Sequence, residues 1–469
     1  DMRISVIGLA TGLTLVVTSA GANAQTEGSV AAPLVDKELV SLLDVAPQAY
    51  YGFMRMPKFF SDPNMDLATV DGPLWQRQYL LGSLGGFRSR MASNGLVFDA
   101  DLTQVFQSKS SGDGDNNAYA GSADIWLALD TGRAGWWSGG LFVSHLEGNW
   151  GETLAGTGAL LPLNADATMP TSPSAFALSE LYLLQALPNE FTLVLGKVDW
   201  AGTADTSLFA NNERYQFLGE AFVNNAVLGS FVPYTSMGAA LSKQLTPDLA
   251  ATLVGFSTDS EAIRPGFDTF DLSAFTYAVT MEWTPKFGNL PGNYNFILGA
   301  SSKDVTSFDV DPEYLIGEIG GLVPVAKKDN NYAFTFSASQ YFWMADRGKR
   351  WDGLPSGIGA FFRFGISPDD RNLIDQFYSV GIGGNYGLFG RVNDNWGIGW
   401  AGTHISSDFR RDAGVLGLDV DSMENSFEAF YNVALTPAIA LSGHVQYVDP
   451  ADAMADEVTI LSARLQIDF

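Results

Sequence analysis

The chain has 469 residues with 26 basic and 52 acidic side chains, which gives a formal net charge of −26. Such strong acidity disfavours nucleic acids and anionic surfaces as partners. The sequence contains no cysteine, which excludes a small secreted domain held by disulfides and any cysteine-based metal site. Its hydrophobic residues, 46% of the total, are scattered along the chain, and it carries 13% aromatic residues and 50 glycines. That mixture is typical of a membrane barrel, which has an apolar outer face and a polar or small-residue lumen.

The N-terminus has the pattern of a secretory signal peptide. Arg3 precedes a mostly apolar stretch, residues 4–17, and a small-x-small Ala-Asn-Ala site ends at Ala24. We therefore predict a signal peptide over residues 1–24, cleaved after Ala24. The alternative is a retained membrane anchor, which would need a longer apolar stretch. Beyond residue 24 there is no apolar run of about 18 residues, so no membrane-spanning helix is expected.

The C-terminal residues alternate strictly between two kinds of side chain. One set is apolar and the other is polar; the sets are Leu461, Ala463, Leu465, Ile467 and Phe469, and Ser462, Arg464, Gln466 and Asp468. This period of two predicts a strand with one face toward lipid and one toward water. The same alternation recurs at residues 96–103, 275–283, 360–366, 427–435 and 439–447. We predict an all-β protein, a transmembrane antiparallel β-barrel, over a soluble sandwich or propeller.

The connections between these strands are of two kinds. Residues 245–248 and 435–438 are short and contain proline, so they predict tight periplasmic turns. Residues 112–117, 151–173 and 265–271 are longer and predict outer loops. The barrel domain is assigned to residues 74–469, whereas residues 25–73, whose helical periodicity is weak, are interpreted as a periplasmic tail or a segment inside the lumen.

Several stretches resemble the carbohydrate-selective porins of the OprB type. Residues 80–98 share Gly85, Gly86, Arg88 and Gly95 with the family pattern, although Ser-Leu stands where the family has Asp-Trp. Similar stretches occur at residues 178–222, at residues 357–396, and in the closing segment, which contains a Thr-Pro pair and, further on, a Gln-Tyr pair. The resemblance implies a barrel of about sixteen strands that passes small sugars down their gradient. It implies no cofactor and no catalytic or metal site.

A sugar channel needs charged side chains that replace the water around sugar hydroxyls and bind only weakly. Our candidates for the pore constriction come from strand parity and from the matched stretches; they are Arg88, Glu147, Lys197, Asp199, Arg363, Arg371 and Arg391. Arg363 lies between Phe362 and Phe364, and a cation facing lipid at mid-depth would cost about 2–4 kcal/mol. Arg363 is therefore expected to face the lumen.

Two other functions remain open from the residues alone. A general-diffusion porin with a mild cation preference fits the acidic loops equally well. An outer-membrane hydrolase would need a Ser–His pair, which His404 and Ser406 offer at i, i+2 on one strand. Half of a calcium loop at Asp113, Asp115 and Asn117 lacks the glycine that such a loop needs, and we predict no metal site there.

The predicted location is the outer membrane of a Gram-negative cell, with multiple crossings. The predicted partners are small sugars, outer-membrane lipids and the barrel assembly machinery, and nucleic acid is excluded. Phe469 resembles the terminal aromatic signal that the assembly machinery reads. The sequence leaves both a homotrimer and a monomer open.

Overall fold

The computed structural model describes residues 2–9, 12–19, 39, 41–42, 72–111, 114–168, 176–260, 263, 269–308, 327–345 and 355–469. Sixteen antiparallel strands form a closed barrel in which each strand pairs with the next along the chain. The strands are β1 Leu96–Lys109, β2 Asn117–Asp130, β3 Gly140–Gly151, β4 Phe176–Leu187, β5 Phe191–Val198, β6 Ser236–Thr246, β7 Leu249–Ser257, β8 Phe275–Trp283, β9 Leu290–Ser301, β10 Asn331–Met344, β11 Gly357–Ile366, β12 Ile374–Gly384, β13 Asn395–Ile405, β14 Met423–Thr436, β15 Ile439–Asp449 and β16 Val458–Asp468. The predicted fold class is confirmed.

The barrel closes where β16 pairs with β1, in a register that sets Ile460 opposite Lys109 and Asp468 opposite Asp101. Closure leaves no unpaired strand edge, which a sheet that crosses lipid requires. The predicted alternation in β16 is also confirmed. Leu461 is 57% exposed on the outer face, whereas Arg464 is 0% exposed and faces inward.

The outer wall is covered with exposed apolar side chains. They include Phe106, Ile125, Leu195, Leu253, Tyr277, Leu298, Phe362, Val380, Ile398, Phe427, Leu441 and Val445. An apolar surface this continuous, on the face away from the polar lumen, is the surface of a barrel that sits in lipid.

The two ends of the barrel differ. At one end, the short-turn end, residues 188–190, 247–248 and 437–438 make tight turns. The two turns predicted from the sequence lie here. The other end, the long-loop end, carries the connections after β3, β5, β7, β9 and β13. The three predicted outer loops lie at the long-loop end, and residues 112–113, 169–173 and 265–268 within them fall outside the described residues.

Short elements complete the chain. The helices are α1 Phe87–Ser93, α2 Trp200–Ala204, α3 Glu220–Val223 and α4 Ser407–Val415, with 3₁₀ turns at Asp166–Thr168, Ala226–Ser230 and Leu388–Gly390. Two-residue strands occur at Lys286–Phe287, Val305–Thr306 and Lys327–Lys328, and Met2–Leu9 pairs with Gly12–Ser19 in a separate hairpin. Among the residues that the structure describes, no helix is both long and apolar enough to span a bilayer.

Residues 41–42 lie at the short-turn end. Leu42 is fully buried in one apolar cluster with Val97, Leu141 and Val143. Ser41 donates a hydrogen bond of 2.8 Å from Oγ to Oδ2 of Asp130. These two residues of the stretch 25–73 therefore pack against the first strands of the barrel.

Candidate functional site

The connection between β5 and β6, residues 199–235, folds back into the barrel, and we call it the lumen segment. Its rings Phe209, Phe217 and Phe222 are buried in one cluster with Phe361 and Phe430 of the wall. The ring centroids of Phe217 and Phe430 are 4.8 Å apart. The lumen segment is therefore packed against the inner wall as a core element rather than lying over the barrel as a surface loop.

The wall receives these rings at glycine positions. A Cβ atom on Gly383 of β12 would lie 2.6 Å from Cβ of Phe209, and one on Gly399 of β13 would lie 2.7 Å from Cε1 of Phe222. Such separations are shorter than any ordinary contact, so only glycine lets the backbone of the wall approach the rings this closely.

Arg363 of β11 holds the lumen segment from one side. Its Nε lies 3.1 Å from Oδ1 of Asp205, and its Nη1 donates a bond of 2.9 Å to the carbonyl of Phe222. Its Nη2 donates to the carbonyls of Ala210 and Val223. Arg363 and Asp205 both have no exposed surface. A guanidinium that is buried and fully paired in this way fixes the segment at three separate places.

Glu428 of β14 holds the same segment with the opposite charge. Its Oε1 accepts a hydrogen bond of 2.7 Å from the amide of Leu218, and its Oε2 accepts one of 2.9 Å from Gly219. Nδ1 of His444 lies 2.8 Å from Oε1, and Nε2 of His444 lies 2.9 Å from Oγ of Ser442. Thus Arg363 binds carbonyl groups of the segment, while Glu428 binds its amide groups.

A second insertion, residues 152–168 after β3, meets the lumen segment. The amide of Ala165 donates a hydrogen bond of 2.9 Å to the carbonyl of Leu218. The amide of Glu220 donates another of 2.9 Å to the carbonyl of Pro162. On the wall side, Glu424 accepts a bond of 2.7 Å from the amide of Leu160. The two insertions therefore form one hydrogen-bonded layer across the lumen.

Arg214 of the lumen segment lies among carboxylates of the wall and of the second insertion. Its Nη2 is 2.8 Å from Oδ1 of Asp124, and its other nitrogens are 3.5 Å from Asp101 and 3.6 Å from Asp166. The same oxygen of Asp124 lies 2.6 Å from Nε2 of His145. The paired cation gives this group of buried carboxylates its counter-charge.

Asp124, His145 and Glu147 bring potential metal-ligand atoms within 4.8 Å of one another. However, Oδ1 of Asp124 already contacts Arg214 and His145, and Oε2 of Glu147 accepts bonds of 2.7 Å and 2.8 Å from Ser179 and Tyr234. These hydrogen bonds account for the grouping without an ion.

Some polar groups around the layer keep partial contact with solvent. They are Asp101, Asn212, Tyr215, Glu220, Asn224 and Tyr234. Nδ2 of Asn224 donates a hydrogen bond of 2.8 Å to Oε1 of Glu220. The hydroxyl of Tyr215 donates a hydrogen bond of 2.5 Å to Oδ2 of Asp468. In contrast, most inward-facing wall residues lie buried beneath the two insertions. These groups are therefore polar residues around the layer that are not fully enclosed.

Four of the seven residues predicted at the constriction lie in the interior. Arg363 and Glu147 are buried in the contacts given above. Lys197 is fully buried and donates 2.9 Å from Nζ to the carbonyl of Leu178. Asp199 caps helix α2 by accepting 2.8 Å from the amide of Gly202. Arg363, Lys197 and Glu147 expose 3% or less of their surface, so their visible role is to position other groups.

The other three predicted residues lie at the two ends of the barrel, away from this layer. Arg88 lies at the short-turn end, where its guanidinium stacks 4.3 Å and 4.5 Å from the ring centroids of Tyr79 and Phe98. Arg371 lies at the long-loop end beside Asp370, 2.7 Å from its carboxylate. Arg391 lies at the short-turn end, 2.6 Å from Asp394. The structure therefore does not bring the seven predicted residues together at one level.

The long-loop end carries a compact ion cluster. Hydrogen bonds from Arg371 and Lys328 lower the pKa of Asp370 to about 2, against the opposing effect of its partial burial. The same end holds the predicted hydrolase pair, but in separate contacts. Nδ1 of His404 lies 2.6 Å from Oδ1 of Asp375, whereas the hydroxyl of Ser406 caps helix α4.

Asp205, Arg214 and Glu428 hold the lumen segment in place, and the sequence did not single them out. Glu428 had a usable signal, since it alternates with apolar neighbours in β14 and so faces the lumen. Asp205 and Arg214 had none, because the lumen segment has no regular period and its partners lie far away in the sequence.

Comparison with known proteins identifies the architecture. The sequence model of the carbohydrate-selective porin, OprB family, matches residues 115–469. The chain belongs to this family. A high-pH structure of Pseudomonas putida OprB shares 16% identity and superposes with a TM-score of 0.70, covering 84% of this chain and 98% of that one. A low-pH structure of the same protein shares 14% identity over the same shares of both chains, with a TM-score of 0.52. No curated protein matched by sequence.

Membership confirms the resemblance noted in the sequence and makes the chain an outer-membrane porin for carbohydrates. The stretch at residues 80–98 lies ahead of the matched range, so the identification depends on the later stretches. The family is one of channels, so the relevant chemistry is reversible contact with a solute in the lumen.

Proposed function

We propose that sugars cross the barrel along the half-buried polar surface of the lumen segment. The observation that carries this proposal is the pair of opposite anchors, Arg363 and Glu428, that hold residues 199–235 across the lumen. A solute must then pass beside the segment rather than through an open bore. Narrowing of this kind forces a sugar to exchange part of its water for protein groups.

The half-buried groups suit neutral polyols. Glu220 and Asp101 accept hydrogen bonds from sugar hydroxyls, and the amide nitrogen of Asn224, which already bonds Glu220, has a second hydrogen to donate. The rings of Tyr215 and Tyr234 offer flat faces for the apolar side of a pyranose ring. Each contact replaces water at small net gain, so binding stays weak enough for release. The acidic surroundings favour neutral or cationic solutes over anions.

The buried charged residues position this path. Asp199 caps the helix at the start of the lumen segment, Lys197 ties the preceding strand to the carbonyl of Leu178, and Glu147 holds Tyr234 near the end of the segment. Arg371 lies at the rim of the long-loop end. We assign that end to the cell exterior and the short-turn end to the periplasm, with lipid around the wall and Phe469 as the signal for the assembly machinery. The chain acts without a catalytic residue, as a monomer or a homotrimer.

Liposome swelling tests the path. Vesicles that contain the protein should swell in isotonic glucose, and Glu220→Ala or Tyr234→Phe should change the rate for sugars more than the rate for glycerol. Tyr234→Phe keeps the ring and removes only the hydroxyl that bonds Glu147, so it separates stacking from anchoring. Equal changes for all solutes would instead support a general-diffusion pore.

A further inference from the structure

The turn between β12 and β13, residues 385–394, presents an aromatic side chain in an unusual way. Phe389 is 93% exposed and has a left-handed backbone, with φ of 63° and ψ of 21°. That conformation costs a residue with a Cβ about 1–2 kcal/mol, and exposure of a large apolar ring to water is unfavourable as well. Both costs fall on one residue at the tip of a turn.

The turn folds against the outer side of the wall. The hydroxyl of Tyr431, an outward residue of β14, donates 2.9 Å to Oδ2 of Asp394 and 3.3 Å to the carbonyl of Leu388. Nη2 of Arg391 donates 3.0 Å to the carbonyl of Ala434. These contacts hold the tip beside the outer face rather than beneath the opening of the lumen.

The neighbouring outer wall is aromatic. Trp343 of β10 packs 5.3 Å, centroid to centroid, from Tyr386 at the start of the turn, and Nε1 of Trp396 donates 3.1 Å to the carbonyl of Tyr386. Tryptophan and tyrosine concentrate where a barrel meets the headgroup region of the bilayer. The turn that carries Phe389 therefore adjoins the lipid-facing surface at the short-turn end.

We propose that this turn is a lipid-docking site, in which Phe389 and Leu388 enter the headgroup boundary of the leaflet at the short-turn end. Arg391 is 49% exposed beside them and supplies a cation for a lipid phosphate. Transfer of the Phe389 ring out of water offsets the unfavourable backbone conformation. The turn then fixes the depth of the barrel in the membrane.

Site-directed spin labelling tests the proposal, because a chain without cysteine accepts one unique label. Phe389→Cys, Val445→Cys and Met454→Cys are labelled in the full chain in phospholipid bilayers. Val445 lies on the outer wall at 50% exposure, and Met454 is 83% exposed in the connection after β15. Met454 is a matched control, since it is also apolar and strongly exposed but lies at the long-loop end.

Accessibility to oxygen, relative to a water-soluble nickel complex, should decrease in the order Val445, Phe389, Met454. A label at Phe389 that is as accessible to the nickel complex as the label at Met454 would overturn the proposal. Spin–spin broadening at Phe389 would also overturn it, because the turn would then contact a second copy of the chain instead of lipid.

Discussion

Arg363 and Asp205 form an ion pair of 3.1 Å in which neither side chain has exposed surface. The pair joins β11 of the wall to the lumen segment, and three further hydrogen bonds from the same guanidinium reach carbonyls of that segment. A buried pair of charges contributes little net stability against an apolar alternative, but loss of one partner leaves the other uncompensated. Its visible effect is to fix one arrangement of the segment.

Arg363→Met should therefore loosen the lumen segment. Loss of the cation leaves the carboxylate of Asp205 buried without its counter-charge, at a cost of about 3–5 kcal/mol. We expect a larger and noisier single-channel conductance together with a lower unfolding midpoint. The double variant Arg363→Met/Asp205→Leu should recover part of the stability, and Arg371→Met at the rim serves as the control. Unchanged conductance in Arg363→Met would show that the pair does not position the segment.

Gly399→Val tests the packing of the segment against the wall. Because a Cβ at this position would lie 2.7 Å from Phe222, the ring must move, at a cost of about 1–3 kcal/mol. Gly443→Val is the matched control, since a Cβ there meets no atom within 4 Å. Thermal unfolding should separate the two variants, and equal midpoints would contradict the close contact.

The strands could be predicted from the sequence because each one is marked by the alternation of neighbouring residues. Leu461 and Arg464 could be assigned to opposite faces from parity alone, and the barrel then follows from the need to close the sheet. The lumen segment was not accessible in this way. Arg363 and Asp205 are 158 positions apart, and only the closed barrel brings them together. The parity of Arg363 predicted that it faces inward, but not that the inserted chain would cover it.

The exposure of the outer wall to lipid can be tested by comparing two variants, each with one new arginine. Leu253 is 60% exposed in the middle of β7, and Leu272 is 69% exposed in a loop. Leu253→Arg should destabilise the folded barrel in bilayers by about 2–4 kcal/mol, because its cation faces hydrocarbon. Leu272→Arg should change little. Urea titration of both variants measures the difference, and a neutral effect at Leu253 would contradict a lipid-exposed outer wall.

The ion cluster at the rim has a definite pH signature. Because the folded pKa of Asp370 is lowered to about 2, its contribution to stability is fully present above its unfolded pKa of about 4. That contribution is lost as the pH falls through about 2. Asp370→Asn should therefore lower the unfolding midpoint near neutral pH, and the difference from the wild-type chain should shrink as the pH falls through about 2 and vanish below it. A difference between the two proteins that stayed as large well below about pH 2 as near neutral pH would show that the effect is not electrostatic.

The central claim is that sugars bind along a path beside the lumen segment, which Arg363 and Glu428 hold in place. Planar-bilayer recording with sugars tests this claim. Single channels are recorded in potassium chloride while glucose, maltose or sucrose is added. We expect the current to fall saturably with at least one sugar, and expect the block to weaken in Arg363→Met and in Glu220→Ala but not in Arg371→Met. Currents that fall only in proportion to solution viscosity, equally for every sugar and variant, would contradict a binding path beside the lumen segment.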